Sequence, residues 1–252
     1  APKFPIGDGV LDRVLEVHAD YPEQVQQLFD DEVRAALKTL IKHWPDVVVT
    51  DRAVRVFLRS QEASSAKLMR LVNNMMALST SLDEARVHVS PAETLAGWVD
   101  QWGEMAARMG LDLEPWLPAL TGSLDGRRVA IAPQLVDEGE FLADLSLFFR
   151  PHREIGLRIY QQTEPDGYRS VGQDIQVKHP EFDDAFVIKG YDHKVIIKTL
   201  TESVRRELLA INALAPIEVE DRGLHVSNLP MDPAQLEPLV QRACAIAEGL
   251  GW

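Results

Sequence analysis

Leu11-Asp12-Arg13-Val14-Leu15-Glu16-Val17 and Phe182-Asp183-Asp184-Ala185-Phe186-Val187-Ile188 share one pattern: an apolar residue, an aspartate, then apolar residues four and six places after the first. Asp12 and Asp183 stand 171 positions apart, as do the starts of Val33-Arg34-Ala35-Ala36-Leu37 and Val204-Arg205-Arg206-Glu207-Leu208. A third pair follows at a spacing of 170: Val47-x-Val49-x-Asp51-Arg52-x-Val54-x-Val56 and Ile217-x-Val219-x-Asp221-Arg222-x-Leu224-x-Val226. Self-similarity at a fixed period sets a domain plan. It also supplies an internal control. A residue type present in both segments (Asp12 and Asp183, Arg34 and Arg205, Asp51 and Asp221) is expected to serve the fold.

Working outward, each segment predicts the same elements. Alternation at Leu11, Leu15 and Val17 predicts an opening strand, and Phe182 to Ile188 repeats it. Tyr21-Pro22 suits the first turn of a short helix. Val33, Leu37 and Leu40 form an i, i+4, i+7 stripe, capped by Asp30 or Asp31; Val204, Leu208 and Ile211, capped by Thr201, match it. A hairpin turns at Asp51-Arg52-Ala53 in one segment and at Asp221-Arg222-Gly223 in the other. A long helix closes each. Leu68, Leu71, Val72, Met75, Leu78 and Leu82 form the apolar stripe of the first; Leu236, Leu239, Val240, Ala243, Ala247 and Leu250 form that of the second. Asp232-Pro233 marks the second start as N-cap and N1.

Residues 83–174 have no counterpart. Ser90-Pro91-Ala92-Glu93 reads as a capping box with Pro at N1, opening a helix with Leu95, Trp98, Val99, Trp102, Met105 and Met109 on one face and Gly110 at its end. Strands are predicted around Val129 and Ile131, from Ala143 to Phe149, from Ile155 to Ile159 and from Val171 to Val177, with a turn at Glu164-Pro165-Asp166-Gly167. The expected fold class is α+β, with tandem duplicated units that each pack helices on an antiparallel sheet. Residues 83–252 would be a complete unit and residues 1–82 the back half of another. A front half of roughly 90 residues is then expected upstream of Ala1. Otherwise the opening strand would need a homo-oligomer or the other unit's sheet to close its edge.

Composition bounds the function. A 46% hydrophobic and 26% charged chain matches a soluble globular protein. The net charge of −13 argues against nucleic acid or an anionic membrane as a partner, because both select a cationic field. No apolar run reaches the roughly 18 residues of a membrane span, so no direct insertion is expected. Cys244, the single cysteine, rules out an intrachain disulfide and sits in an apolar helical stripe, as a buried thiol would.

The densest carboxylate group is Asp174, Glu181, Asp183 and Asp184, with His179 among them. Metal or acid–base chemistry would need such a cluster. However, His179 corresponds to Asp8 and Asp184 to Arg13; only the aspartate at 183 is repeated. Asp174, His179, Asp183 and Asp184 are therefore weak candidates beside a structural reading. The seven histidines show no HxxxH or HExxH spacing, and no nucleotide-binding or nucleophile motif is present. Arg34 and Arg205 predict salt bridges, with Asp51 and Asp221 as possible partners. Trp98 and Trp102 read as core, although a long aromatic helix on a curved sheet can enclose an apolar pocket.

Phe182-Asp183-x-x-Phe186-x-Ile188, with Leu200-Thr201-x-x-Val204-Arg205-x-x-Leu208-Leu209, resembles a segment of bacterial domains of unknown function in which an F-D-x-x-F-x-V strand leads to an L-T-x-x-[VL]-R-x-x-L-L helix. The resemblance covers about 50 residues and brings no catalytic residues. It implies a bacterial, cytoplasmic domain, tethered in some members through a membrane span elsewhere in the chain. The expected function is a non-enzymatic protein-binding or scaffolding module with no cofactor, acting on a protein partner. Alternatives are a carrier of a small apolar ligand between sheet and long helix, and a metal-assisted hydrolase using the Asp174–Asp184 cluster.

Overall fold

A computed structural model describes residues 4–19, 21–50, 53–58, 64–114, 116–136, 140–151, 154–162 and 174–251. The fold is mixed α+β and divides into two units, Ala1–Ala96 and Gly97–Trp252. The division lies inside a helix, whereas the sequence placed it after Leu82.

In the first unit, α1 (Leu11–Val14), α2 (Pro22–Leu28) and α3 (Asp31–His43) precede a hairpin, β1 (Val47–Val49) and β2 (Val54–Val56), and the long α4 (Ser65–Arg86). Asp30 caps α3 by accepting the Val33 amide at 2.8 Å, and Ser64 caps α4 through the Lys67 amide at 3.3 Å. Val33, Leu37 and Leu40 of α3 are buried, as expected from their spacing, and pack with Leu11, Leu71 and Leu78. The predicted opening strand is instead the single helical turn α1. Leu11 to Leu15 is an i, i+4 step, and the Leu15 amide donates to the Leu11 carbonyl at 2.8 Å. The Asp51-Arg52 part of the hairpin turn, with Asp51 itself, lies outside the described residues.

The second unit begins within α5 (Glu93–Met109) and continues through β3 (Asp112–Glu114), β4 (Ala119–Leu124), β5 (Arg127–Leu135), β6 (Phe141–Phe148) and β7 (Arg158–Gln161). Then follow α6 (Pro180–Ala185), β8 (Phe186–Lys189), α7 (His193–Thr199), α8 (Glu202–Asn212), β9 (Ile217–Glu220), β10 (Gly223–Leu229) and α9 (Pro233–Gly249). The eight strands form one antiparallel sheet in the order β3-β4-β5-β6-β10-β9-β7-β8. Sequence reading missed β3 and β4: β3 is only three residues long, and β4 contains Gly122 and lacks a clean apolar alternation. It also placed a strand where α6 lies: Pro180 opens the helix, Phe182 to Phe186 is its i, i+4 step, and only Phe186 onward is extended. Of the predicted Val171–Val177 strand, residues 171–173 lie outside the described residues, as does the Glu164–Gly167 turn. Asp174 to Val177 are irregular, with one ladder-like bond from the Ile175 amide to the Ile188 carbonyl.

α5 starts at Glu93 rather than at Pro91. The Ser90 backbone is held elsewhere: its amide donates to Gln27 Oε1 at 2.8 Å and its carbonyl accepts from Gln24 Nε2 at 3.1 Å. Trp102 is fully buried, and its indole N–H donates to the Met231 carbonyl at 2.9 Å. That satisfies the one polar atom the side chain carries into the core.

Several bonds of the two segments singled out in the sequence match. Phe4 N–H donates to the Val17 carbonyl, and Ile175 N–H to that of Ile188. Asp12 Oδ1 accepts the Ile6 amide at 2.8 Å, and Asp183 Oδ1 the Val177 amide at 2.9 Å. Thr201 caps α8 as Asp30 caps α3. The hairpins share one register: Val49↔Val54, Val48↔Arg55 and Val47↔Val56 in the first, Val219↔Leu224, Glu218↔His225 and Ile217↔Val226 in the second. Phe57 N–H donates to the Asp46 carbonyl, and Ser227 N–H to that of Pro216.

Candidate functional site

The acidic cluster is spent largely on backbone amides. Asp183 Oδ1 accepts from Val177 N–H and Oδ2 from His179 N–H at 3.0 Å. Asp174 Oδ1 accepts from Ile188 N–H at 2.8 Å, and Oδ2 from Gln176 Nε2 at 2.9 Å. His179 caps α6, with Nδ1 accepting the Phe182 amide at 3.3 Å. Asp184 is exposed. Among the described residues, no group of three His, Cys, Asp or Glu side chains is placed to hold a metal ion.

Asp8 stands where His179 stands in the other segment. Its Oδ1 accepts from the Val10 and Leu11 amides at 3.0 and 3.1 Å, and its Oδ2 meets Lys38 Nζ at 2.5 Å. The Lys38 ammonium, then the Leu11 and Val10 amides, hold its carboxyl down at about 2, against the opposing effect of burial.

Arg34 has an acidic neighbour as its ion-pair partner, although a different one from Asp51, which lies outside the described residues; Arg205 is bonded to a carbonyl instead. Arg34 donates to the Ile6 carbonyl at 3.2 Å and lies 3.6 Å from Asp31, one turn away. Arg205 donates to the Leu200 carbonyl at 2.6 Å. Asp221 does not pair with Arg205: its two oxygens accept the Gly156 and Leu157 amides at 2.7 and 3.0 Å, tying the approach to β7 onto the β9–β10 turn.

A cleft of about 360 Å³ opens in the second unit between the C-terminal part of α5, the β4–β5 turn and α9. Arg108, Asp125 and Glu248 line it with Val240 and Cys244, and Arg108 pairs with Glu237 at 3.1 Å. Burial, then the nearby Asp125 carboxylate, raises the Cys244 thiol above its ordinary value, although Arg127 opposes. A thiol so shifted is a poor nucleophile near neutral pH.

A broader feature appears when the long helices are compared. With a spacing of 168, Leu71, Met75 and Leu78 of α4 match Leu239, Ala243 and Ile246 of α9, and these face inward in both units. α4 packs on α3 as α9 packs on α8. A second stripe does not agree. Leu236 and Val240 are 0% and 1% exposed, whereas their counterparts Leu68 and Val72 are 41% and 48% exposed. The difference follows from neighbours: α9 also packs on β6 and β10. Met69 and Met76 extend the open stripe of α4; Val48, Phe57 and Leu58 are exposed as well, Val48 opposite Arg55 on the outward face of the hairpin. Among the described residues, β2 pairs only with β1, whereas β10 lies between β9 and β6. Sequence periodicity missed this face because an apolar helical stripe reads the same whether or not anything covers it.

Among the described residues, no helix is long and apolar enough to cross a membrane. No family model and no curated protein matches the chain. One solved structure is similar, that of the mycobacterial trehalose monomycolate transport factor A, at a TM-score of 0.40 and 13% identity, over 61% of this chain and 94% of that one.

Proposed function

We propose that the protein is a non-enzymatic protein-binding scaffold built from two copies of one α+β unit, and that the first copy is the receiving one. The observation that carries this reading is the open stripe of α4, whose counterpart in α9 is buried. Large apolar side chains presented together mark interaction surfaces. Leu68, Met69, Val72 and Met76 recur along one side of a single helix, which suits a partner surface laid along it.

The experiment is affinity purification of the chain beside the double variant Leu68→Asp, Val72→Asp. The wild-type chain should retain a stoichiometric protein partner and the variant should lose it. Both positions are about half exposed and Asp is a weaker helix former than Leu, so the unfolding free energy should fall by no more than about 2 kcal/mol and the variant should stay folded. Retention of the partner by a folded variant would sink the proposal.

A further inference from the structure

The cleft of the second unit holds charges of two kinds. Arg108 is spent on its neighbour: its Nε and Nη2 both donate to Glu237 Oε2, at 3.3 and 3.1 Å. Asp125, on the β4–β5 turn, and Glu248, in the last turn of α9, also line the cleft, and both are exposed. Among the described residues, neither of these carboxylates has an ion-pair partner. Met109, Leu124 and Val240 supply apolar surface in the same cleft.

The fold does not call for either charge. Leu124 pairs with Arg127, so Asp125 and Gly126 close a two-residue turn, with Asp125 at φ 49°. Asp-Gly suits such a turn, and Asn-Gly suits it equally without a charge. Glu248 sits at the negative end of the helix dipole, where cations are favoured. Helices α3, α4 and α5 each place a basic residue in their last turn, whereas α9 has none. The repeat agrees: at the spacing of 168 between the long helices, Thr80 stands where Glu248 stands. The negative field also reaches into the cleft, because at the Cys244 thiol the Asp125 carboxylate outweighs Arg127.

We propose that this cleft binds an organic cation: an ammonium or guanidinium group on a short alkyl chain. The charge sits with Asp125 and Glu248, and the chain lies against Met109, Leu124 and Val240. A volume of about 360 Å³ falls at the small end of ligand sites, which run from about 300 to 1,000 Å³. An anion fits less well, because Arg108 is already paired with Glu237. A bare metal ion also fits less well, since two carboxylates fall short of the roughly six to eight oxygens that calcium takes. A free amine and the lysine or arginine side chain of a peptide share the required chemistry. The site is independent of the α4 stripe, so the failure of either reading leaves the other standing.

The test is an NMR titration of the full chain with n-butylammonium, n-butanol, butyrate and a short peptide with one central lysine. The Leu124, Val240 and Cys244 amide signals should shift saturably with butylammonium, with a midpoint in the millimolar range that so small a ligand allows. Butanol keeps the chain without the charge and should bind at least about tenfold more weakly. Butyrate should give no saturable shift. Asp125→Asn keeps the turn, Glu248→Gln keeps the helix, and each should weaken butylammonium about tenfold. Saturation by the peptide as well would make a protein side chain the source of the cation; saturation by butylammonium alone would make it a free amine. Butanol or butyrate binding as tightly as butylammonium would overturn the site. Wild-type affinity in both variants, or no saturation by either amine, would overturn it too.

Discussion

The Asp183 carboxylate accepts the Val177 amide at 2.9 Å and closes a short loop onto the start of α6. With its other oxygen on the His179 amide, the side chain holds the chain reversal that brings Ile175 against Ile188. Asp12 makes the same bond to Ile6 in the first unit. Removing a charged acceptor strands a part-buried amide, a loss of about 1–3 kcal/mol. Asp183→Ala and Asp12→Ala should each lower unfolding stability by that much in urea titration, and exposed Asp184→Ala by less than about 0.5 kcal/mol. If Asp183→Ala unfolds at the same urea midpoint as wild type, the anchoring role is wrong.

How far the sequence could be read follows from these same residues. Helices α3, α8 and α9 were legible because stripe and cap agree locally: Val33-Leu37-Leu40 behind Asp30, Val204-Leu208-Ile211 behind Thr201, Leu236-Val240 behind Asp232. The α1 and α6 turns were not, because Leu11-x-x-x-Leu15-x-Val17 satisfies the strand period and the helical step together. What goes with the helical turn is the aspartate reaching back to an amide six residues upstream, a contact no periodicity encodes. The open stripe of α4 was illegible for a different reason: exposure of Leu68 and Val72 depends on which elements lie opposite, and those are set by the tertiary fold.

That difference between the long helices has a direct energetic consequence. Leu236→Ala empties a site in a packed core, and such truncations cost about 2–5 kcal/mol. Leu68→Ala, at the matching place in α4, removes a side chain already 41% exposed and should cost less than about 1 kcal/mol in the free protein. Thermal or urea unfolding of the two variants, side by side, measures the contrast. Equal losses would mean that the α4 stripe is covered in solution.

Gly223 provides a second contrast within the matched hairpins. Any Cβ there meets the Leu147 carbonyl, so Gly223→Ala must push β6 away from β10 at the register point Gly223↔Phe148. Overpacking of this kind costs about 1–3 kcal/mol. Ala53→Gly, at the matching position, should change stability by less than about 1 kcal/mol, through backbone entropy alone. Hydrogen exchange of the β6 and β10 amides should quicken in Gly223→Ala; unchanged protection there would refute the close approach.

Asp8 and Lys38 make the acid response of the first unit specific. The folded carboxyl titrates at about 2 and the unperturbed value is 3.8. A depressed pKa means that the folded state binds the proton more weakly than the unfolded one. The pair therefore contributes its full stabilisation above the unfolded value, and that contribution falls away as pH drops from about 4 through about 2. Carbon-detected NMR titration of Asp8 should give a midpoint near 2 in the wild-type chain. Lys38→Met removes the largest cause and should move that midpoint up toward 3.8, with the Leu11 and Val10 amides retaining part of the depression. The same variant should flatten acid unfolding between pH 4 and pH 2. A midpoint that stays put in Lys38→Met would transfer the depression from the ammonium to the helix-capping amides.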